Sequence, residues 1–448
     1  YDMKRLQGAV NIPLAETFKI RIAADRMTRD GYMRNLSASG VKAFNDRDYF
    51  AARFSMVANL TPDLENYTIF HYSKSNTNGY AARITSCASP ANGLNTTRGT
   101  PGYSGTRHLT ALACQDMLNR QNRRGDSLYT VESSIANPFI KIEQWQAINT
   151  TTWTASDSLT VKNTMSYGEF REQAHFDLYT SNFATPTGGF DLRNISPFLP
   201  FSLPAGIPFK YIELDAPYPS GGYASAESTF TEELQLQGQV GEAFNFVVGG
   251  YLEFARPIGW NQQRTGIYLN CTRPKDLLCA NPLFFGSISE SRTKLAFDNH
   301  GIFAQGTYKL TEQLALTAGL RYTMDKIDGI TTSVRTGFDP ANRNPLSVVD
   351  PLTGVRIARQ CTDSFRLGNG YVAGGDPNLC RVDLSNKSNK PTWLVNLDYK
   401  FTPDNMVYAK WSRGYRQGGL NFTNPGLERW GPESLDAFEI GSKNSFRG

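Results

Sequence analysis

The sequence predicts an all-β fold: part of a transmembrane, antiparallel, up-and-down β-barrel with long extracellular loops and short periplasmic turns. Three observations predict it. Hydropathy repeats every second residue through long stretches, which is the period of a strand with two unlike faces. The connections between those stretches alternate strictly between short and long. Composition removes the other way of crossing a membrane: mean hydropathy is −0.41, and no apolar run approaches the roughly 18 residues of a spanning helix. Charged residues make up 19% of the 448, below the roughly 25% of ordinary soluble domains. The apolar residues are too many and too evenly spread for a disordered chain. The 46 basic and 41 acidic residues give a net charge of +5, too small on this length to indicate a nucleic-acid partner.

Thirteen strands follow from the period-two pattern, at 2–12, 18–33, 47–60, 66–82, 136–153, 158–178, 227–240, 244–260, 292–310, 314–332, 389–402, 405–421 and 433–447. In 314–323, Leu314, Leu316, Ala318, Leu320 and Tyr322 share one face, and Ala315, Thr317, Gly319, Arg321 and Thr323 the other. In 231–240 the apolar line Leu234, Leu236, Gly238, Val240 opposes Thr231, Glu233, Gln235, Gln237 and Gln239. A wet interior suits that glutamine row; a sandwich core does not. Several of these strands exceed the five or six residues usual in soluble sheets, and a membrane crossing needs only about 9–11, so the excess projects beyond the bilayer.

The short connections are 13–17, 61–65, 155–157, 241–243, 311–313 and 403–404, and the long ones 34–46, 83–135, 179–226, 261–291, 333–388 and 422–432. Up-and-down strands place every short turn on one side and every long loop on the other, the asymmetry of outer-membrane barrels. Aromatics near the short turns (Phe18, Tyr67, Phe244, Tyr308, Tyr399, Phe401 and Tyr408) suit an interfacial girdle. Arg413 fits badly, because it shares a face with Val407, Ala409, Trp411 and Tyr415, which is assigned to lipid; phosphate-bearing lipid above the apolar band is its expected partner. One long loop is expected to hold a helix over 109–124, with Leu109, Leu112, Ala113 and Met117 on its apolar line and Arg120, Arg123 and Arg124 at its solvated end. The segment 274–279 reads as a single turn tied back to Cys271.

The six cysteines fall into three close pairs, Cys87 with Cys114, Cys271 with Cys279 and Cys361 with Cys380, each within one polar loop. Three intraloop disulfides and an oxidising compartment are expected. No zinc spacing connects them to His71, His108, His175 or His300. The chain opens at Tyr1 inside a strand-like stretch, so any leader is expected to lie outside it. Thirteen strands are an odd number where single-chain bacterial barrels have even ones, and open edges are untenable in lipid; the chain is therefore expected to be part of a longer barrel.

Several stretches resemble the barrel of TonB-dependent outer-membrane receptors: 5–35 ("RLQGAVNIPLAETFKIRIAADRMTRDGYMRN"), 229–238 ("TFTEELQLQG") with 244–254 ("FNFVVGGYLEF"), 299–326 ("NHGIFAQGTYKLTEQLALTAGLRYTMDK") and 406–422 ("MVYAKWSRGYRQGGLNF") with 433–446. The resemblance covers the strands, in order and spacing, and little of the long loops. It implies a barrel of about 22 strands around a plug, of which residues 1–448 match about strands two to fourteen, the plug and the C-terminal strands having no counterpart here. It further implies a Gram-negative outer membrane, lipid and lipopolysaccharide around the barrel, coupling to the TonB energy-transducing complex through the plug segment, and import of a scarce large nutrient such as a ferric siderophore. Ligand contacts are expected from aromatics and arginines of the long loops: Tyr103, Arg107, Tyr211, Tyr218, Tyr223, Trp260, Arg264, Phe365, Arg366 and Tyr371, side chains that give large contact area and hold carboxylate or phosphate.

No enzyme is expected. There is no G-x-S-x-G, Walker A or H-E-x-x-H motif, and no cofactor or metal is implied. Two other functions fit the same pattern: a passive porin-like channel, and a surface binding protein that works through its loops.

Overall fold

The computed structural model describes residues 1–448 except 39, 98–100, 102, 195–201, 217–221, 274–277, 281–285, 339–344, 347, 350–355, 358–359, 362–379, 423–425 and 446–448. Its main elements are β1 (Lys4–Ala15), β2 (Phe18–Arg29), β3 (Arg47–Thr61), β4 (Leu64–Thr77), α1 (Gly105–Arg124), β5 (Phe139–Ser156), β6 (Leu159–Asp177), β7 (Pro208–Ala216), β8 (Ser225–Val240), β9 (Phe244–Pro257), β10 (Asn261–Arg273), β11 (Ser287–Lys309), β12 (Leu314–Phe338), β13 (Arg381–Thr402), β14 (Asn405–Arg416) and β15 (Glu433–Asn444).

All thirteen expected strands are present. They pair antiparallel in the order β1-β2-β3-β4-β5-β6-β8-β9-β11-β12-β13-β14-β15. Among the described residues β1 pairs only with β2 and β15 only with β14, so the wall is an open arc. The ends of the strands differ most from expectation. β12 continues to Phe338 and β11 begins at Ser287, whereas β14 stops at Arg416. There the chain turns through Gly418 and Gly419, whose backbone lies against Trp430 too closely for any Cβ.

The short-turn end is built from tight hairpins. Ala15 faces Phe18, Thr61 faces Leu64, Ser156 faces Leu159 and Thr402 faces Asn405, each after a one-residue bulge. Such a bulge sharpens the twist into the turn.

Strict alternation fixes which side chains face outward. Leu6, Val10, Ile22, Phe54, Phe70, Leu234, Ile302, Leu320, Val395, Trp411 and Phe438 are exposed apolar residues of one face, and the registers carry that face around the arc. In water such a surface would aggregate; in lipid it is solvated. The girdle expectation holds for Phe18, Phe244, Tyr308, Tyr399 and Phe401 but needs correction at Tyr67 and Tyr408. Tyr67 faces Val57 and Thr150, and Tyr408 faces Asp398 and Gly441, all on the inner side. Both rings stood near a turn, but their parity is that of the polar face.

Arg413 does face outward. A side chain meets it there: Asp436 of the neighbouring β15 accepts from its Nε at 2.8 Å, and its guanidinium lies 4.3 Å from the Trp393 ring.

At the long-loop end the wall continues beyond the β8–β9 hairpin. β8 leaves β6 at Ser225, opposite Glu172, and β7 takes over opposite Ala174–Asp177. β9 leaves β11 at Ala255, opposite Phe297, and β10 takes over opposite Ser287–Thr293. β7 and β10 pair with each other. Both strands lie inside stretches read from the sequence as loops.

The helix in the second long loop forms as expected but begins earlier. Ser104 caps its N-terminus and Gly125, at φ 68°, closes its C-terminus. Leu109, Ala113 and Met117 are buried; Leu112, expected beside them, is exposed and Ala111 is buried in its place. α1 packs on Phe183, Phe190, Leu192, Leu203, Phe209 and Tyr268. A second small core joins Met33 and Phe44, which lie between β2 and β3, to Val131 and Ile135 of the second long loop. The long loops thus form a folded layer with its own hydrophobic interior.

Candidate functional site

Two surfaces can meet a ligand: the inner wall of the arc and the loop layer above it. On the inner wall, β8 presents Thr231, Glu233, Gln235, Gln237 and Gln239, with Gln237 Nε2 donating to Gln235 Oε1 at 2.6 Å. These glutamines line a cavity of about 580 Å³ with Asn245, Gln305 and Thr307. Higher up, Arg321 lies over the Tyr251 and Phe303 rings at 5.4 and 5.8 Å and donates through Nε to Thr323 Oγ1 at 3.1 Å. Glycines make room for this: a Cβ at Gly301 would sit 2.5 Å from the Arg321 guanidinium, and one at Gly249 would sit 2.6 Å from the Phe303 ring. The inner face is therefore polar, filled with hydrogen-bonding side chains, and open.

In the loop layer, Cys87 and Cys114 form a disulfide that ties α1 to the preceding segment. Cys380 is also disulfide-bonded, and among the described residues no cysteine is free. Cys271 and Cys279 stand opposite each other across a short antiparallel pairing of β10 with Leu278–Ala280. Of the single turn expected over 274–279, residues 274–277 lie outside the described residues.

A buried ionic group joins β6, β7, β10 and β11. His175 Nε2 meets Glu213 Oε1 at 2.9 Å, Lys210 Nζ lies 3.2 Å from Glu213 Oε2, and Arg264 pairs with Glu290. Burial opposes the charge on His175, but the Glu213 hydrogen bond and charge, the Asp215 charge and the Asn137 carbonyl outweigh it and hold its pKa above the ordinary histidine value. Burial pushes the Asp177 carboxyl up to about 6, although the Ser181 and Tyr179 backbone N–H groups donate to it. Among the described residues no three His, Cys, Asp or Glu side chains come together as a metal site.

The family model described as TonB dependent receptor-like, beta-barrel matches residues 31–448. The chain belongs to this family. TonB-dependent receptor barrels lie in the outer membrane of Gram-negative bacteria, so the short turns are periplasmic and the loop layer is extracellular. No curated protein matched the sequence. Among solved structures, 99% of the chain superposes on 50% of the ferric yersiniabactin uptake receptor FyuA from Yersinia pestis, at 10% identity and a TM-score of 0.56. It superposes likewise (99%) on 54% of the ferric-catecholate import receptor Fiu from E. coli K12, at 15% identity and 0.55, and on 49% of the copper transporter OprC, at 11% identity and 0.52. At such identities the likeness is one of fold. The chain spans about half the length of these receptors and this transporter.

Against this barrel the ten expected ligand residues separate. Tyr103 and Arg107 flank the start of α1; Arg107 is exposed, and the Tyr103 hydroxyl donates to the Asn194 carbonyl at 2.8 Å. Tyr211 packs between Tyr179 and Tyr268, at 5.2 and 5.1 Å, in the aromatic cluster under α1. Tyr223 and Trp260 sit at the top of the β8–β9 hairpin; Tyr223 bridges to Asn261, and Lys294 Nζ lies 4.8 Å from the Trp260 ring. Arg264 is 1% exposed and holds Glu290. Its environment is that of an internal strut. Tyr218, Phe365, Arg366 and Tyr371 lie outside the described residues. Sequence reasoning missed the inner-wall groups Arg21, Arg53, Tyr251, Phe303 and Arg321, whose signal was their parity with the glutamine row.

Proposed function

We propose that the chain is the greater part of the barrel of an outer-membrane TonB-dependent receptor that imports a scarce, large nutrient, a ferric siderophore, with energy relayed from the inner membrane. On this reading a plug domain and the remaining strands complete the barrel, and the plug carries the contact to the TonB complex. The observation that carries the reading is the polar inner wall. A lumen edged by Gln235, Gln237, Gln305 and Arg321 is suited to hold a folded polar domain and to let a hydrophilic cargo pass, whereas a dry core would admit neither. The extracellular layer supports a receptor over a simple pore, because Tyr103, Arg107, Tyr223 and Trp260 give an aromatic and cationic rim suited to an anionic iron chelate.

The test is uptake of radiolabelled iron, carried by a panel of ferric siderophores, into cells whose only such receptor is the complete polypeptide. Uptake should require TonB and cease when the inner membrane is uncoupled. Uptake indifferent to TonB would make the protein a passive channel, and binding without uptake would make it a surface binding protein.

A further inference from the structure

At the extracellular end of the inner face two arginines stand directly opposite each other. Arg29 closes β2, Arg47 opens β3, and the register pairs them. They share the parity of Ala23 and Arg53, so both belong to the face turned toward the lumen. Like charges directly opposite across a strand pair are destabilising. Each is cushioned by an aromatic ring: the Arg29 guanidinium lies 5.4 Å from the Tyr32 ring, and that of Arg47 lies 5.9 Å from the Tyr80 ring. Tyr129 meets Tyr32 edge-on at 6.2 Å. The result is a strip in the order Tyr80, Arg47, Arg29, Tyr32, Tyr129, whose two end rings are 62% and 60% exposed.

Asn45 holds the strip together. It takes the left-handed conformation, at φ 62°. Its carbonyl accepts from Arg29 Nη2 at 2.5 Å, and its Nδ2 donates to the Tyr32 hydroxyl at 3.1 Å. Its side-chain oxygen accepts from the Ala81 backbone N–H at 3.0 Å, which fixes the segment that bears Tyr80. The guanidiniums keep most of their donors for another partner: Arg29 gives one to Asn45, and Arg47 gives one to the Asp46 carbonyl at 3.4 Å. Among the described residues no carboxylate lies within ion-pair distance of either. Asp46 Oδ1 accepts from the Asn78 backbone N–H at 2.9 Å, and Asp48, on the opposite face, pairs with Arg26. Farther down the same face, Asp25 is held by Arg5 and by the Tyr49 hydroxyl. Arg34 is exposed and adds a third cation next to the far ring, since its backbone N–H donates to the Tyr129 carbonyl at 2.8 Å. Against these three arginines stand Asp46 and Asp30, the latter just past the end of β2.

We propose that this strip binds the ferric chelate and selects a catecholate over a hydroxamate. The inference rests on the reading above that the chain belongs to a receptor for ferric siderophores. A ferric ion held by three catecholate groups carries three net negative charges, spread over phenolate oxygens at the edges of flat aromatic rings. The strip answers both features. Two guanidiniums side by side offer forked donors to neighbouring phenolate oxygens, and the exposed Tyr80 and Tyr129 offer faces on which the rings can stack. A ferric ion held by three hydroxamates is neutral and has no chelating ring of this kind. It would leave the opposed arginines without a counter-charge and the tyrosines without a stacking partner. Arg29 and Arg47 lie at the long-loop ends of their strands, where a chelate entering from outside meets them before the rest of the wall.

The experiment uses the complete receptor, purified in detergent, and follows quenching of its intrinsic fluorescence by two synthetic probes of similar size. One is the ferric complex of a tris-catecholate chelator, the other that of a tris-hydroxamate chelator. The parent should bind the catecholate at least about tenfold more tightly, with an affinity that falls as salt is raised. R29Q/R47Q should lose roughly a hundredfold in catecholate affinity, a factor of about ten for each guanidinium. R29K/R47K, which keeps the charge without the fork, should lose less. Y80A/Y129A should weaken catecholate binding without changing its salt dependence, and Y80F/Y129F should preserve it. Heat-modifiable migration should show the variants folded. Equal affinity of the parent for the two probes, binding of neither, or catecholate binding indifferent to salt would overturn the proposal, and so would an unchanged catecholate affinity in folded R29Q/R47Q. Each of these results leaves the receptor reading intact, because that reading stands or falls on the TonB dependence of uptake.

Discussion

Removing the Cys87–Cys114 disulfide should loosen the extracellular layer and leave the barrel wall intact. The bond closes a loop with a sequence separation of 27 residues, and closing a loop of that length removes about 12 cal/mol/K of unfolded-state entropy, or about 3.5 kcal/mol at 25 °C. That stabilisation belongs to the layer alone, because Cys87 precedes α1 and Cys114 lies within it. The wall is held by inter-strand hydrogen bonds that do not depend on α1. In the C87S/C114S variant, amide hydrogen exchange of α1 should speed up by roughly 300-fold at conditions where exchange follows opening of the layer. The helix should still form, since Leu109, Ala113 and Met117 remain buried against Phe183, Phe209 and Tyr268. Heat-modifiable migration on a denaturing gel should be that of the parent. Unchanged exchange in α1 would show that the layer never opens along the segment the disulfide constrains. Loss of the heat-modifiable band would show that layer and wall fold as one unit. Either result refutes the reasoning.

Other perturbations test the remaining parts. The pH dependence of the layer follows from two groups outside the membrane. The Asp177 carboxyl, pushed up to about 6 by burial, binds its proton more tightly in the folded state, so its contribution fades as pH rises from about 4 to 6. His175, raised above its ordinary value, contributes stability that is fully present below about 6.5 and is lost as pH climbs through its folded value. Exchange protection of β7 should therefore fall in two stages as pH increases, and His175→Gln should abolish the upper stage only; protection that grows with pH would contradict both assignments. Facing is tested by one charge placed on each side of the wall. Leu320→Arg, on the outer face, should cost about 2–4 kcal/mol of folding free energy in vesicles. Gln305→Arg, whose side chain lines the inner cavity, should be nearly neutral; equal costs would mean that the two faces share one environment.

Much of the wall was legible because its physics is local. A strand with lipid on one side and water on the other must alternate, and all thirteen strands show that period. Tyr67 and Tyr408 were misplaced by nearness to a turn, although parity with the glutamine row already put them inside. The loop layer was less legible, because its strands find their partners across long stretches of sequence. The stretch 208–216 lies inside a segment read as a loop, yet its charges Lys210, Glu213 and Asp215 are all buried. Glu213 takes Lys210 of its own strand and His175 of β6, and Arg264 of β10 stands opposite Asp215 in the register. Arg264 was taken for a ligand contact on residue type alone, and nothing local reveals that Glu290 faces it. Arg21 and Arg53 were passed over because an arginine on a wet face is ordinary. Only the registers show that Arg21 and Asp25 are the two diagonal neighbours of Arg53 on the inner face.

The wall and the layer are stabilised by different means, and the strands shared between them mark where one ends. In the bilayer a broken backbone hydrogen bond finds no water to replace it, so the wall opens only as a whole. The layer faces water and depends on the apolar core under α1, which urea weakens, and on the buried ion pairs. β6 and β11 belong to both. β6 trades β7 for β8 as a partner between Ala174 and Glu172, and β11 trades β10 for β9 between Thr293 and Phe297. Exchange in urea should therefore divide single strands. Amides 173–177 and 287–293 should open with the layer, while 159–172 and 297–309 stay protected until the barrel itself fails. A protection boundary at the ends of β6 and β11, and not at these points of exchanged partners, would mean that β7 and β10 are as firmly part of the wall as the strands that cross the membrane.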